Sequence, residues 1–151
     1  MIQDDPMMSR IMAAVFDKSG GNEQRERFAA LWNEVGDDGD PLHRCTLAHY
    51  AADVESNPRK ALVWNHRSLD AVGELSDERL QMTFPTLTVA GFMPSLHLNL
   101  AQDYQQLGDP AKATRHLDAA EDGLAVLSEG GYGAMIRRGI ARLRETLQGG
   151  G

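Results

Sequence analysis

An all-α fold of antiparallel helix hairpins stacked as a short solenoid, about seven helices in all, is predicted by three features of this sequence. Four of its six prolines follow an Asp or Asn, apolar residues recur at helical spacing after them, and the joints between the periodic stretches are short and glycine-rich. An Asx side chain accepts a hydrogen bond from the orphan amides of a helix's first turn, and Pro at the next position has no amide to orphan and a φ already suited to helix. Asp5-Pro6, Asp40-Pro41, Asn57-Pro58 and Asp109-Pro110 therefore read as helix starts.

The first helix is expected over 6–17, where Met8, Ile11, Met12 and Val15 keep helical spacing. The second, over 23–35, has no Pro; Phe28, Leu31, Trp32 and Val35 form its stripe, and Gly36 follows as a left-handed terminator. Helices over 41–55 and 58–75 follow their Asx-Pro pairs. Between residues 75 and 94, Ser76-Asp77-Glu78 starts one short helix, but Pro85 and Pro94 argue for a connector after it. A helix over 95–107 precedes one over 110–128, whose stripe is Ala113, Leu117, Ala120, Leu124 and Leu127. The last, over 132–147, is read as an end cap with Tyr132, Met135, Ile136, Leu143 and Leu147 inward and Arg137, Arg138, Arg142 and Arg144 mostly outward. Residues 149–151 read as a frayed end. Joints at Gly20-Gly21, 36–39, Ser56-Asn57, Gly108-Asp109 and Gly130-Gly131 have the short length that antiparallel neighbours use.

A helix-turn-helix unit occurs twice. Pro41 aligns with Pro94, Leu47-Ala48 with Leu100-Ala101 and Val54 with Leu107; one residue of adjustment in the turn then aligns Pro58, Lys60 and Ala61 with Pro110, Lys112 and Ala113. The second copy resembles the tetratricopeptide repeat: Leu100, Ala101 and Tyr104 stand at its Leu, Gly and Tyr positions, Ala113 and Leu117 at its Ala and Phe positions, and Ala120 at the small residue of its second helix. His97 replaces the first aromatic and Ala125 the closing Pro. The resemblance covers 41–75 and 94–127 as repeats, with 23–35 as a partial one, and implies small residues where paired helices approach closely.

Length argues for one domain over 1–151. With 42% hydrophobic and 25% charged residues the chain is expected to fold unaided. A net charge of −7 and a pI near 5.1 repel phosphate backbones, so nucleic acid is not expected as a partner. The acidic start, with Ser9 and Arg10 breaking its apolar stretch, does not resemble a secretory signal, and no segment approaches the ~20 apolar residues of a membrane span. Cys45 is the single cysteine, which excludes an internal disulfide; a cytoplasmic protein without a membrane partner is expected.

Catalytic motifs are missing. There is no Gly-x-Ser-x-Gly turn, phosphate-cradling glycine loop or His-Glu-x-x-His pair, and no cofactor is expected. Asp37, Asp38 and Asp40 lack the spacing and closing Glu of a calcium loop and read as a solvated turn with a helix cap. Cys45 and His49, four apart on one helix, are half of a soft-metal site at most, and His97 and His116 have no third ligand in the spacing. His43 and His66 carry no further signal.

By the tetratricopeptide resemblance, the first helix of each pair lines a concave groove, which assigns partner binding to Cys45, Thr46 and His49 in one repeat and Leu98, Asn99 and Gln102 in the next. Asn99 stands where family members hold a bound peptide's backbone, and Arg137 and Arg138 from the end helix offer positive charge to an otherwise acidic protein. The function expected is a non-enzymatic protein-protein interaction scaffold holding a protein or peptide partner. Self-association as a regulatory or signalling module is the alternative, and a metal-binding or enzymatic role for Cys45 and His49 with a further His is a third.

Overall fold

A computed structural model describes residues 5–17, 20–127 and 130–149. Among them eight α-helices and one 3-10 turn occur and no strand. The chain, read from its length as one domain, divides into two compact units, Met1–Thr86 and Leu87–Gly151.

The first unit holds α1 (Pro6–Val15), α2 (Gly21–Val35), α3 (Pro41–Asp53), α4 (Pro58–Val72) and the short α5 (Asp77–Gln81). Each Asx-Pro pair is the start it was expected to be. Asp5, Asp40 and Asn57 accept the amides of Met8, Leu42 and Arg59 at 3.0, 2.9 and 2.9 Å, each with Pro beginning the helix. Gly36 ends α2 with φ 79°, its amide on the Trp32 carbonyl at 2.8 Å. The α3–α4 hairpin is the most intimate pair of the unit, and α1 and α2 pack on α3 and on each other. A helix so surrounded is buried on nearly every side, as Leu42, Cys45, Leu47, Ala48, Ala51 and Ala52 are. Trp32 and Trp64 meet edge to face at 5.6 Å, and the Arg67 guanidinium lies 4.7 Å from each ring. Both tryptophans are buried, Trp32 as its place in the α2 stripe implied.

The second unit holds α6 (Val89–Gln106), α7 (Pro110–Asp122), a 3-10 turn (Gly123–Val126) and α8 (Gly131–Gly149). The turn between α6 and α7 uses three residues in sequence. Gly108 takes φ 77°, a conformation that costs a residue with a side chain, and donates to the Gln105 carbonyl. The Asp109 amide reaches the Tyr104 carbonyl at 2.9 Å, which completes a Schellman stop. Asp109 then caps α7 through the Lys112 amide at 3.1 Å, and Pro110 opens the helix. Leu100, Ala101, Ala113 and Leu117 have no exposed surface, and Tyr104 is half-buried. The interior is closed by Leu98, Ala101, Leu117, Ala120, Ile136, Ile140 and Leu143, with Leu124, Leu127 and Leu147 at its edge.

Three expectations are corrected. Pro94 was to interrupt the chain ahead of a helix beginning at 95; instead α6 starts at Val89, capped by the Thr88 hydroxyl on the Gly91 amide at 2.9 Å, and runs through Pro94. The ring is fully buried against Gly123, where a Cβ would lie 2.9 Å from Pro94 Cγ, so packing offsets the ~3 kcal/mol of a helical proline. In α8, Tyr132 and Met135 face outward, 41% and 53% exposed. Gly133, Ile136, Ile140, Leu143 and Leu147 follow a strict three-and-four spacing that sets the buried face, and Met135 falls off it. Helix α7 ends at Asp122 and tightens into the 3-10 turn at Gly123, a poor helix former, where a helix to 128 was expected. Ser128 and residues 150 and 151 of the expected frayed end lie outside the described residues; Gly149 closes α8.

Leu100→Ala is expected to cost about 2–5 kcal/mol, because the site has no room to collapse around a closely approached backbone. Ala101→Leu is expected to cost about 1–3 kcal/mol by overpacking. Urea unfolding followed by far-UV circular dichroism measures both.

Candidate partner-binding surface

Burial sorts the residues assigned to a groove. On α3, Cys45 is 2% exposed, its sulfur 3.5 Å from Ser68 Oγ of α4, and Ser68 donates to the Cys45 carbonyl at 3.1 Å. Burial pushes the thiol up to about 11, so it stays protonated at neutral pH. Thr46 is buried as well. These two side chains are committed to the interior, a correction with a simple cause: α3 is covered on several sides, so its inter-repeat face is not its solvent face. His49 is half-buried; burial draws its pKa down and the Asp53 carboxylate, one turn on, opposes the shift. Burial raises Asp53 in turn.

On α6, Leu98 belongs to the core shared with α7 and α8 and is corrected in the same way. Asn99 and Gln102 stay in contact with solvent, half-buried and exposed, and Gln106 continues them, exposed. Positions 99, 102 and 106 have the i, i+3, i+7 spacing of one helix face, so three side-chain amides form a row along α6. Gln106 was missed in the sequence because repeat alignment weights the apolar slots; the spacing itself was the available signal. At the end helix, Arg137 is half-buried with Nη2 3.5 Å from the Leu124 carbonyl, while Arg138 is exposed. Arg142 is exposed too, and Arg144 is held by Asp118 and Glu121 at 2.8 and 2.5 Å.

Two polar clusters go beyond the sequence reading, which named His97 and His116 only as histidines without a third ligand. In the first unit, the N-cap carboxylates of α1 and α3 share an arginine from α5: Arg79 Nη2 lies 3.3 Å from Asp5 Oδ2 and 2.7 Å from Asp40 Oδ2. His43 Nε2 is 2.9 Å from both Asp5 oxygens. Burial draws the Asp5 carboxyl upward, but hydrogen bonds from His43, the Met8 amide and Arg79 outweigh it and hold Asp5 below the usual carboxylate range. Asp40 is lowered in the same manner, burial opposed chiefly by Arg79 and the Leu42 amide. In the second unit, His97 of α6 and His116 of α7 meet with their Nδ1 atoms 3.1 Å apart. Neither cluster contains a nucleophile poised against a base, and no group of three metal-ligating side chains converges among the described residues.

The clasp of Asp5, His43, Asp40 and Arg79 carries a pH dependence. Both carboxyls titrate lower in the folded chain than in the unfolded one, so their stabilisation is present above the unfolded value of about 3.9 and is lost as pH falls through the folded values. Arg79→Gln is therefore expected to lower the urea midpoint at pH 7, and its difference from wild type is expected to be smaller at pH 3 than at pH 7. A gap of equal size at both pH values removes the carboxylates from the explanation.

Among the described residues no helix is long and apolar enough to cross a membrane. No family model matches the chain, and neither does any curated protein or solved structure.

Proposed function

We propose that this chain is a non-enzymatic, cytoplasmic interaction scaffold that holds an extended segment of a partner protein along α6. The observation that carries the reading is the row Asn99, Gln102 and Gln106. A side-chain amide offers both a donor and an acceptor, which is what the backbone of an extended peptide needs. Such a row selects for main chain over side chain, so affinity would come from register and shape. The sequence resemblance to the tetratricopeptide repeat supports the reading, since it puts Asn99 at the position where that family holds peptide backbones. Of the residues first assigned to the surface, His49, Asn99, Gln102 and Arg138 keep their solvent contact, with Arg137 in part.

A photo-crosslinking amino acid at Gln106 in the source cell, followed by mass spectrometry, identifies the segment. Its synthetic peptide is then expected to bind wild type at least about tenfold more tightly than the Asn99→Ala, Gln102→Ala pair, since each net hydrogen bond is worth about 0.5–1.5 kcal/mol. Equal affinity for a variant with unchanged helicity would reject the row as the binding element.

A second reading, self-association, draws on the outward face of α8, where Met135 is 53% exposed beside the exposed Arg138 and Arg142. Met135→Lys is expected to shift a concentration-dependent sedimentation coefficient to the monomer value. A wild-type chain that sediments as a monomer at every concentration up to hundreds of micromolar would dismiss it.

A further inference from the structure

The facing imidazoles of the second unit have a geometry that a plain hydrogen bond uses only in part. His97 and His116 sit on adjacent helices of the hairpin, their Nδ1 atoms 3.1 Å apart. Their ring centres are 5.3 Å apart with 26° between the planes. That separation is close to the nitrogen–nitrogen distance plus the two ring radii. The rings therefore lie end to end and not face over face, and each Nδ1 points at the other along nearly one line. One ring presents Nδ1–H and the other a bare Nδ1.

The neighbours hold this arrangement. Tyr104 lies parallel to His116, 7° between planes and 5.6 Å between centres, which fixes the plane of that ring. Both histidines are half-buried, so each keeps some contact with solvent. Burial draws the His97 pKa down, so the ring is neutral and ligand-competent at pH 7.

We propose that His97 and His116 form a two-coordinate site for a monovalent copper-type cation, Cu⁺ or its analogue Ag⁺, bound linearly between the two Nδ1 atoms. Lone pairs that face each other on one line suit an ion with two ligands at opposite poles. A tetrahedral ion such as Zn²⁺ needs lone pairs that converge at an angle, and it needs further ligands, whereas no group of three His, Cys, Asp or Glu side chains converges among the described residues. Metal–imidazole bonds of about 2 Å place collinear nitrogens about 4 Å apart, so the rings part by roughly 1 Å along their common axis. Imidazole is an accepted ligand for copper. The proton on the donating Nδ1 moves to the Nε2 of the same ring through solvent. Two neutral imidazoles then bind the ion, with no net proton released and no change of oxidation state. The bound ion would cross-link α6 to α7 and so stiffen the hairpin that carries the amide row.

The test is a silver titration of the tag-free protein labelled with ¹⁵N-histidine, in chloride-free buffer at pH 7, watched by imidazole NMR. The Nδ1 resonances of His97 and His116 are expected to shift together and saturate at one equivalent of Ag⁺, and to stay in place with the same concentration of Zn²⁺. His97→Gln, with helicity checked by circular dichroism, is expected to abolish the His116 shift. The proposal is overturned if both imidazoles stay put at one equivalent of Ag⁺, or if Zn²⁺ moves the pair as readily as Ag⁺. It is equally overturned if His116 still responds at one equivalent in the His97→Gln protein.

Discussion

Everything in this chain depends on where its helices are made to begin. A carboxylate or amide followed by proline satisfies a first-turn amide and removes another, so the start of a helix is set to the residue. At Asp109 the cap follows directly on a Schellman stop, leaving α6 and α7 no freedom in the length of their connection. With that length set, Ala101 and Ala113 lie where the two backbones approach closely, and Leu100 and Leu117 fill the remaining space. The packing follows from the turn.

Two of those caps do a second task. Asp5 and Asp40 each use one oxygen for a helix amide and another for Arg79, so the starts of α1 and α3 are tied to α5 through one guanidinium. A carboxylate accepts several hydrogen bonds, and a guanidinium donates several in a fixed plane, which is why three elements can be joined by so few atoms. The same economy makes the junction sensitive to acid, because protonating either carboxyl removes a capping charge and an ion pair together.

How much of this was legible in the sequence depends on the range of the interaction. Helix starts were legible because a cap involves residues two or three apart, and all four Asx-Pro pairs behave as read. The inward stripe of α7 was legible for the same reason, Ala113, Leu117 and Ala120 being fully buried. Pro94 was misread because its cost is local while its compensation, the buried contact with Gly123, lies 29 residues away. Tyr132 and Met135 were misread because both are apolar enough to suggest an inward face, whereas the phase of α8 is set by Ile136, Ile140 and Leu143. The clasp was invisible, since nothing in a list of residues brings Arg79 to Asp5 across 74 positions.

The candidate site divides along the same line. A family pattern assigns groove positions by register, and register does not say how many neighbours a helix has. Helix α3 is packed by α1, α2 and α4, so Cys45 is enclosed at a position that a two-neighbour helix would leave open. Helix α6 is also crowded, but Asn99, Gln102 and Gln106 keep contact with solvent along one strip of it. Three amides in line on a helix bring no backbone ordering cost of their own, so the entropy lost on association falls on the partner segment and on the rotamers of Gln102 and Gln106. The strip and one imidazole of the pair lie on the same helix, His97 standing two residues before Asn99 on α6 and His116 facing it from α7. An ion that stiffens the α6–α7 contact would thus act on the element that carries the amides, so partner affinity and metal occupancy would be linked, each raising the other by the same factor.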